Sequence, residues 1–233
     1  YNRYAPLIER YVKAGYKICF AISHQTYGEG KGFPVWQNMS DANWRALIDR
    51  FSDMMGRIAQ QWAGKGLVSC WQIWNEQDAP IGAVASVPMS AENYGRMLNQ
   101  LIPAVKSADS SVYVISGGLT SGPSLGANYI RTAINSTPQG QRLDGVAFHP
   151  YGRGTNINSI YASFGHIDES IRAFGEIFPN KPLWITEWGV LDRPHDNPTD
   201  ISNYAQNMIN HLEARYPGQI AALIWYAWAQ GMH

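Results

Sequence analysis

Two glutamates in this sequence stand where a carboxylate does chemistry more readily than it serves structure. Glu76 directly follows the apolar run Leu67 to Asn75 (LVSCWQIWN), and Glu187 closes another within Trp184-Ile185-Thr186-Glu187-Trp188-Gly189. A lone glutamate after a strand is ordinarily a solvated loop residue or a helix cap. Two of them, each beside tryptophan and buried-strand sequence, give up hydration that structure alone does not compensate. Cleavage of a glycosidic bond needs such a pair. One carboxylic acid protonates the departing oxygen while the other carboxylate attacks the anomeric carbon. A separation of about 5–5.5 Å leads to retention through a covalent glycosyl-enzyme. The two roles call for opposite tuning, a raised pKa for the donor and a low one for the nucleophile.

The elements that would carry these residues alternate along the chain. Helical periodicity places Leu7, Ile8, Tyr11 and Val12 on one face of a helix from Asn2 to Ala14, stopped by Gly15. Tyr16 to Ser23 reads as a strand. Ser40 caps a long helix ended by Gly64, with Trp44, Trp62 and the Met54-Met55 pair in its packing, and Leu67 to Asn75 is the next strand. Ser90 caps a helix kinked or shortened by Pro103; the strand Val112–Ser116, the helix Asn128–Asn135 and the strand Gly145–His149 follow. Ile160 to Phe178 is helical in part, Leu183 to Glu187 is a strand, Ile201 to Tyr216 a helix, and Ile220 to Trp228 the last strand. Strands that are apolar throughout, separated by amphipathic helices, require a parallel sheet covered by helices. With no linker and no short repeat, residues 1–233 read as one α/β domain. Most strands end in polar or aromatic residues: His24, Asn75 and Glu76, Ser116, His149 and Tyr151, Glu187 and Trp188, Trp228. In a parallel array those ends share one face, where such folds build their sites.

Composition narrows the partners. Eighteen basic and eighteen acidic residues give a net charge of zero, with the lysines and arginines scattered, which argues against nucleic acid or an anionic membrane surface. No apolar segment approaches the roughly 20 residues needed to span a bilayer. Cys19 and Cys70 lie in apolar runs and read as buried thiols, with a disulfide between adjacent strands as the lesser alternative. The six histidines are dispersed, without the spacing of a metal site, and neither a metal nor a cofactor is expected. Gly28, Gly30 and Gly32 match no phosphate-binding loop. Nine tryptophans and thirteen tyrosines supply packing, and some of them could stack on sugar faces.

The strand-ending Asn75-Glu76, the later strand-ending Glu187 and the aromatics after the last strands resemble clan A of the glycoside hydrolases, with the closest likeness to members such as families 5 and 39. The resemblance covers nearly the whole chain and implies a (β/α)8 TIM barrel with a retaining mechanism. It implies Glu76 as acid/base and Glu187 as nucleophile, and a sugar 2-hydroxyl contact for Asn75. His149 and Tyr151, in Phe-His-Pro-Tyr-Gly, match a histidine-x-tyrosine after the sixth strand, where the tyrosine can bond the nucleophile. Trp228, or else Trp225, matches the tryptophan that floors the cleaved sugar's subsite, and His24 a histidine after the third strand. Counted this way, the chain starts at the second helix, lacks strands one and two and lacks the last helix. It reads as a piece of a longer, secreted or extracytoplasmic polypeptide. The substrate expected is a β-linked oligo- or polysaccharide. Two rivals stand beside this reading: a metal-dependent hydrolase, and a carbohydrate-binding barrel or fragment with impaired catalysis.

Overall fold

The computed structural model describes residues 4–24, 39–81, 86–151, 166–189 and 197–226. Its strands are parallel and alternate with helices, in two compact units.

The first unit comprises Tyr1–Gly117 and Asn128–Asp144. Helix α1 (Ala5–Lys13) ends at Gly15, whose φ of 89° lies in the left-handed region that glycine enters at little cost. Strand β1 (Cys19–Ile22) follows, then α2 (Asp41–Trp62), where Ser40 Oγ accepts from Asn43 N at 3.2 Å as an N-cap. Strand β2 (Cys70–Asn75) leads into α3 (Ala91–Ala108), capped by Ser90 in the same way. Strand β3 (Tyr113–Gly118) completes a three-stranded sheet in the order β1-β2-β3, with Cys19 opposite Cys70 and Ile22 opposite Ile73. Five successive β2 residues, Cys70 to Trp74, are buried. A strand covered on both faces has no polar side, which is why LVSCWQIWN shows no alternation. Phe51, Met55, Leu98 and Leu101 of the packed α2–α3 pair are sealed from solvent.

The second unit comprises Gly118–Ala127 and Gly145–His233. Strands β4 (Val146–Phe148), β5 (Leu183–Trp188) and β6 (Ile220–Trp225) are parallel in that order, and Leu119 bridges to Phe148 beside β4. Helix α4 (Gly122–Asn135) starts in this unit and ends in the first. Helix α5 (Ile167–Gly175) follows β4. Helix α6 (Pro198–Arg215) follows β5 and is capped by Asn197, whose side chain accepts from Thr199 N at 2.8 Å.

Several expectations shift. Helix α4 begins at Gly122, six residues before the expected start. Pro103 lies inside α3, which continues to Ala108 and is not shortened. On α1 only Ala5 and Ile8 are buried; Leu7 and Tyr11 are each 50% exposed, so the apolar face is half covered among the described residues. Both cysteines are free thiols, but Cys19 is only partly buried whereas Cys70 is sealed, and burial pushes the Cys70 thiol pKa up. Trp44 and Trp62 are core residues, as expected; Trp36, which the sequence leaves as either packing or the lining of a distal subsite, lies outside the described residues.

Candidate active site

In the first unit the chemistry-bearing residues follow a kink at the end of β2. Trp74 has φ 74° and Glu76 φ 49°, both in the left-handed region that side chains other than glycine rarely adopt. Such residues cost about 1–3 kcal/mol each and persist where the surroundings over-determine them. Trp74 is so held. It is fully buried, its indole N–H donates to Val87 O at 2.9 Å, and Phe51 meets its ring edge-on with centroids 5.2 Å apart. Gln72 Nε2 donates to its carbonyl at 3.1 Å. One residue earlier, the buried Tyr94 hydroxyl donates to Ile73 O at 2.8 Å and accepts from Gly117 N at 2.7 Å, tying β2 to β3. After the kink, Gln77 is buried and its Nε2 donates to Gly117 O at 3.2 Å. The kink thus leaves Asn75 and Glu76 partly exposed between firmly anchored neighbours. His24, just after β1, lies 5.9 Å from the Trp74 ring, and burial lowers its pKa.

In the second unit, Glu187 on β5 meets two residues that follow β4. The Tyr151 hydroxyl donates to Glu187 Oε2 at 2.6 Å, and His149 Nδ1 is 3.7 Å from the same oxygen. The His149 side chain is fully buried, and its Nε2 lies 3.2 Å from the Thr186 hydroxyl. A Cβ at Gly118 would overlap the His149 imidazole, so the ring occupies space that only glycine leaves. Glu187 retains 25% side-chain exposure, so the carboxylate is oriented by the phenol and still open to a reactant. Tyr226, just after β6, meets Tyr151 edge-on at 6.5 Å. Trp225 packs edge-on against the buried Trp188 at 4.7 Å.

The resemblance implied a bond from Tyr151 to the residue at Glu187; Tyr151, His149 and Glu187 meet within one unit, and the approach of His149 to Glu187 was not anticipated. Trp228 lies outside the described residues. Gln72, Thr186, Gly118 and Tyr226 were missed. Of these, only Tyr226 carried a signal, as an aromatic at the end of the last strand.

The model of the cellulase family, glycosyl hydrolase family 5, matches residues 1–231. The chain belongs to this family.

No curated protein matches the sequence. Among solved structures, a GH10 endoxylanase from a sugarcane soil metagenome superposes on this family-5 chain with TM-score 0.62 at 14% identity, covering 94% of this chain and 69% of its own. A glucosidase from Croceicoccus marinus gives 0.59 at 15%, covering 94% and 44%. A monomeric β-xylosidase from Caulobacter crescentus gives 0.56 at 16%, covering 78% and 39%. At these identities the likeness is one of fold. The family-5 chain spans less than half the length of the last two. Among its described residues, no helix is long and apolar enough to cross a membrane.

Proposed function

We propose that this family-5 chain cleaves β-linked oligo- or polysaccharides with retention, Glu187 acting as nucleophile and Glu76 as acid/base. The observation that carries the reading is the seat of Glu187: a strand-end carboxylate, a quarter exposed, oriented by the Tyr151 hydroxyl at 2.6 Å with His149 behind it. In the first step the carboxylate attacks the anomeric carbon while Glu76 protonates the departing oxygen; in the second, Glu76 deprotonates the water that releases the sugar. Asn75 contacts the sugar 2-hydroxyl, and Trp228, or else Trp225, floors the subsite of the cleaved sugar, with His24 on the same binding surface. The six strands then correspond to strands three to eight of a (β/α)8 barrel, in one catalytic domain of a secreted protein. Neither step calls for a metal or cofactor.

Azide tests the roles. In Glu187→Ala, azide takes the place of the missing carboxylate and gives the inverted glycosyl azide. In Glu76→Ala, turnover of a 4-nitrophenyl β-glycoside falls about 10²–10⁴-fold and azide gives the retained product. The opposite stereochemistry reverses the assignment, and wild-type rates in both variants remove it.

A further inference from the structure

We infer that Gln72 is a positioning residue for Asn75, fixing which edge of the Asn75 amide is offered to the substrate. In a regular strand, residues 72 and 75 point to opposite faces. The left-handed Trp74, at φ 74°, breaks that alternation, and Gln72 Nε2 reaches Asn75 Oδ1 at 3.3 Å as well as Trp74 O at 3.1 Å.

The chemistry of the two contacts removes the ambiguity of the amides. A backbone carbonyl only accepts, so the Gln72 atom facing it is the NH₂ group. That group only donates, so the Asn75 atom facing it is the oxygen. Turning the Asn75 amide over would set two donors against each other. Gln72 is 3% exposed, so no bulk water relieves such a mismatch. Asn75 is therefore held with its Nδ2 hydrogens available to an oxygen acceptor on the ligand. The inference rests on the proposed contact between Asn75 and the sugar 2-hydroxyl. It adds that the hydroxyl oxygen accepts there, and that a residue touching no substrate dictates this.

The test compares Gln72→Met, which keeps length and loses the donor, with Gln72→Glu, whose carboxylic acid gives its one proton to Trp74 O and offers Asn75 only lone pairs, drawing the Asn75 NH₂ inward. The substrates are the best-cleaved 4-nitrophenyl β-glycoside of a panel and its 2-deoxy counterpart. Each variant should lower kcat/KM for the parent about 10–100-fold, and change it less than about threefold for the 2-deoxy glycoside. Adding Gln72→Met to Asn75→Ala should cost less than about threefold more, because the residues act as one unit. Equal losses on both substrates, or full additivity in the double variant, would overturn the inference and leave Gln72 a plain core residue. Crystal structures of wild type and Gln72→Glu give a readout independent of turnover: the Asn75 amide should invert, and an unchanged amide also overturns the inference. Should Asn75→Ala keep wild-type kcat/KM, the sugar contact itself fails, and the crystal structures still decide what Gln72 does.

Discussion

Tyr151 and Glu187, 36 residues apart, share a hydrogen bond of 2.6 Å in which the phenol donates to the carboxylate. A contact to a charged acceptor is worth about 1.5–3 kcal/mol. Under the proposed roles it does two things: it holds the nucleophile still, and it must weaken as the carboxylate becomes an ester.

Tyr151→Phe keeps the ring and its edge contact with Tyr226 but removes the donor. We expect kcat to fall about 10–100-fold, because a carboxylate no longer held by the phenol loses its attack geometry, with a smaller change in KM. The melting temperature should fall by several degrees, at about 2–4 °C for each kcal/mol lost in a chain of this size. Steady-state kinetics and thermal unfolding check both halves. A kcat equal to wild type would mean that the bond plays no part in turnover.

Gly118 offers a steric test of the His149 seat. Its alanine Cβ would overlap the imidazole, whereas a Cβ at Gly56 would meet Ala104 at an ordinary 3.6 Å. Overpacking of a closed site costs about 1–3 kcal/mol, so Gly118→Ala should lower the urea midpoint and activity together. Gly56→Ala replaces a mid-helix glycine and should be neutral or stabilising, by up to about 1 kcal/mol. Equal behaviour of the two variants would show that the imidazole can move aside freely.

The sequence made the alternation of elements legible because buried parallel strands leave continuous apolar runs, and because Ser40, Ser90, Gly15 and Gly64 mark helix ends by their own chemistry. It also placed Glu187, His149 and Tyr151 at strand ends. Left-handed Trp74 was invisible, since nothing in the composition of WQIWN signals a backbone that tertiary packing enforces. The Gln72 contact depends on that kink and was hidden with it. The half-exposed face of α1 was missed for a related reason: periodicity reports which residues could be buried, not whether a neighbour arrives to cover them.

Asp168 gives a pH dependence away from the candidate site. Its Oδ1 accepts from His211 Nε2 and from the Tyr216 hydroxyl, each at 2.7 Å, and Arg215 lies 3.7 Å from Oδ2. Burial works to raise its pKa, yet the two hydrogen bonds and the His211 and Arg215 charges outweigh it, and the net shift is below 3.8. A depressed folded-state value means that the carboxylate stabilises the fold fully above the unfolded value. That contribution fades as pH drops from about 4 through the lower folded value. Asp168→Asn should therefore lower the melting temperature by about 1–3 °C at pH 7, the size suited to a partly exposed cluster. The gap should close as pH falls below 3.8. A gap that is constant with pH would place its origin in lost packing.

Trp74 supplies the sharpest stability test because two rules oppose each other there. Removing a fully buried indole should cost about 3–5 kcal/mol in Trp74→Ala. Glycine is ordinarily worse than alanine inside a regular element, by about 0.5–1 kcal/mol. At φ 74° the order should invert, because alanine keeps the left-handed strain of about 1–2 kcal/mol that glycine escapes. Trp74→Gly should thus be more stable than Trp74→Ala by roughly 1 kcal/mol, read from urea midpoints at equal slope. If alanine proves the more stable, the strand relaxes to an ordinary backbone once the indole is gone. The kink would then be held by the tryptophan's own packing and its bond to Val87, rather than by Gln72 and the strands on either side.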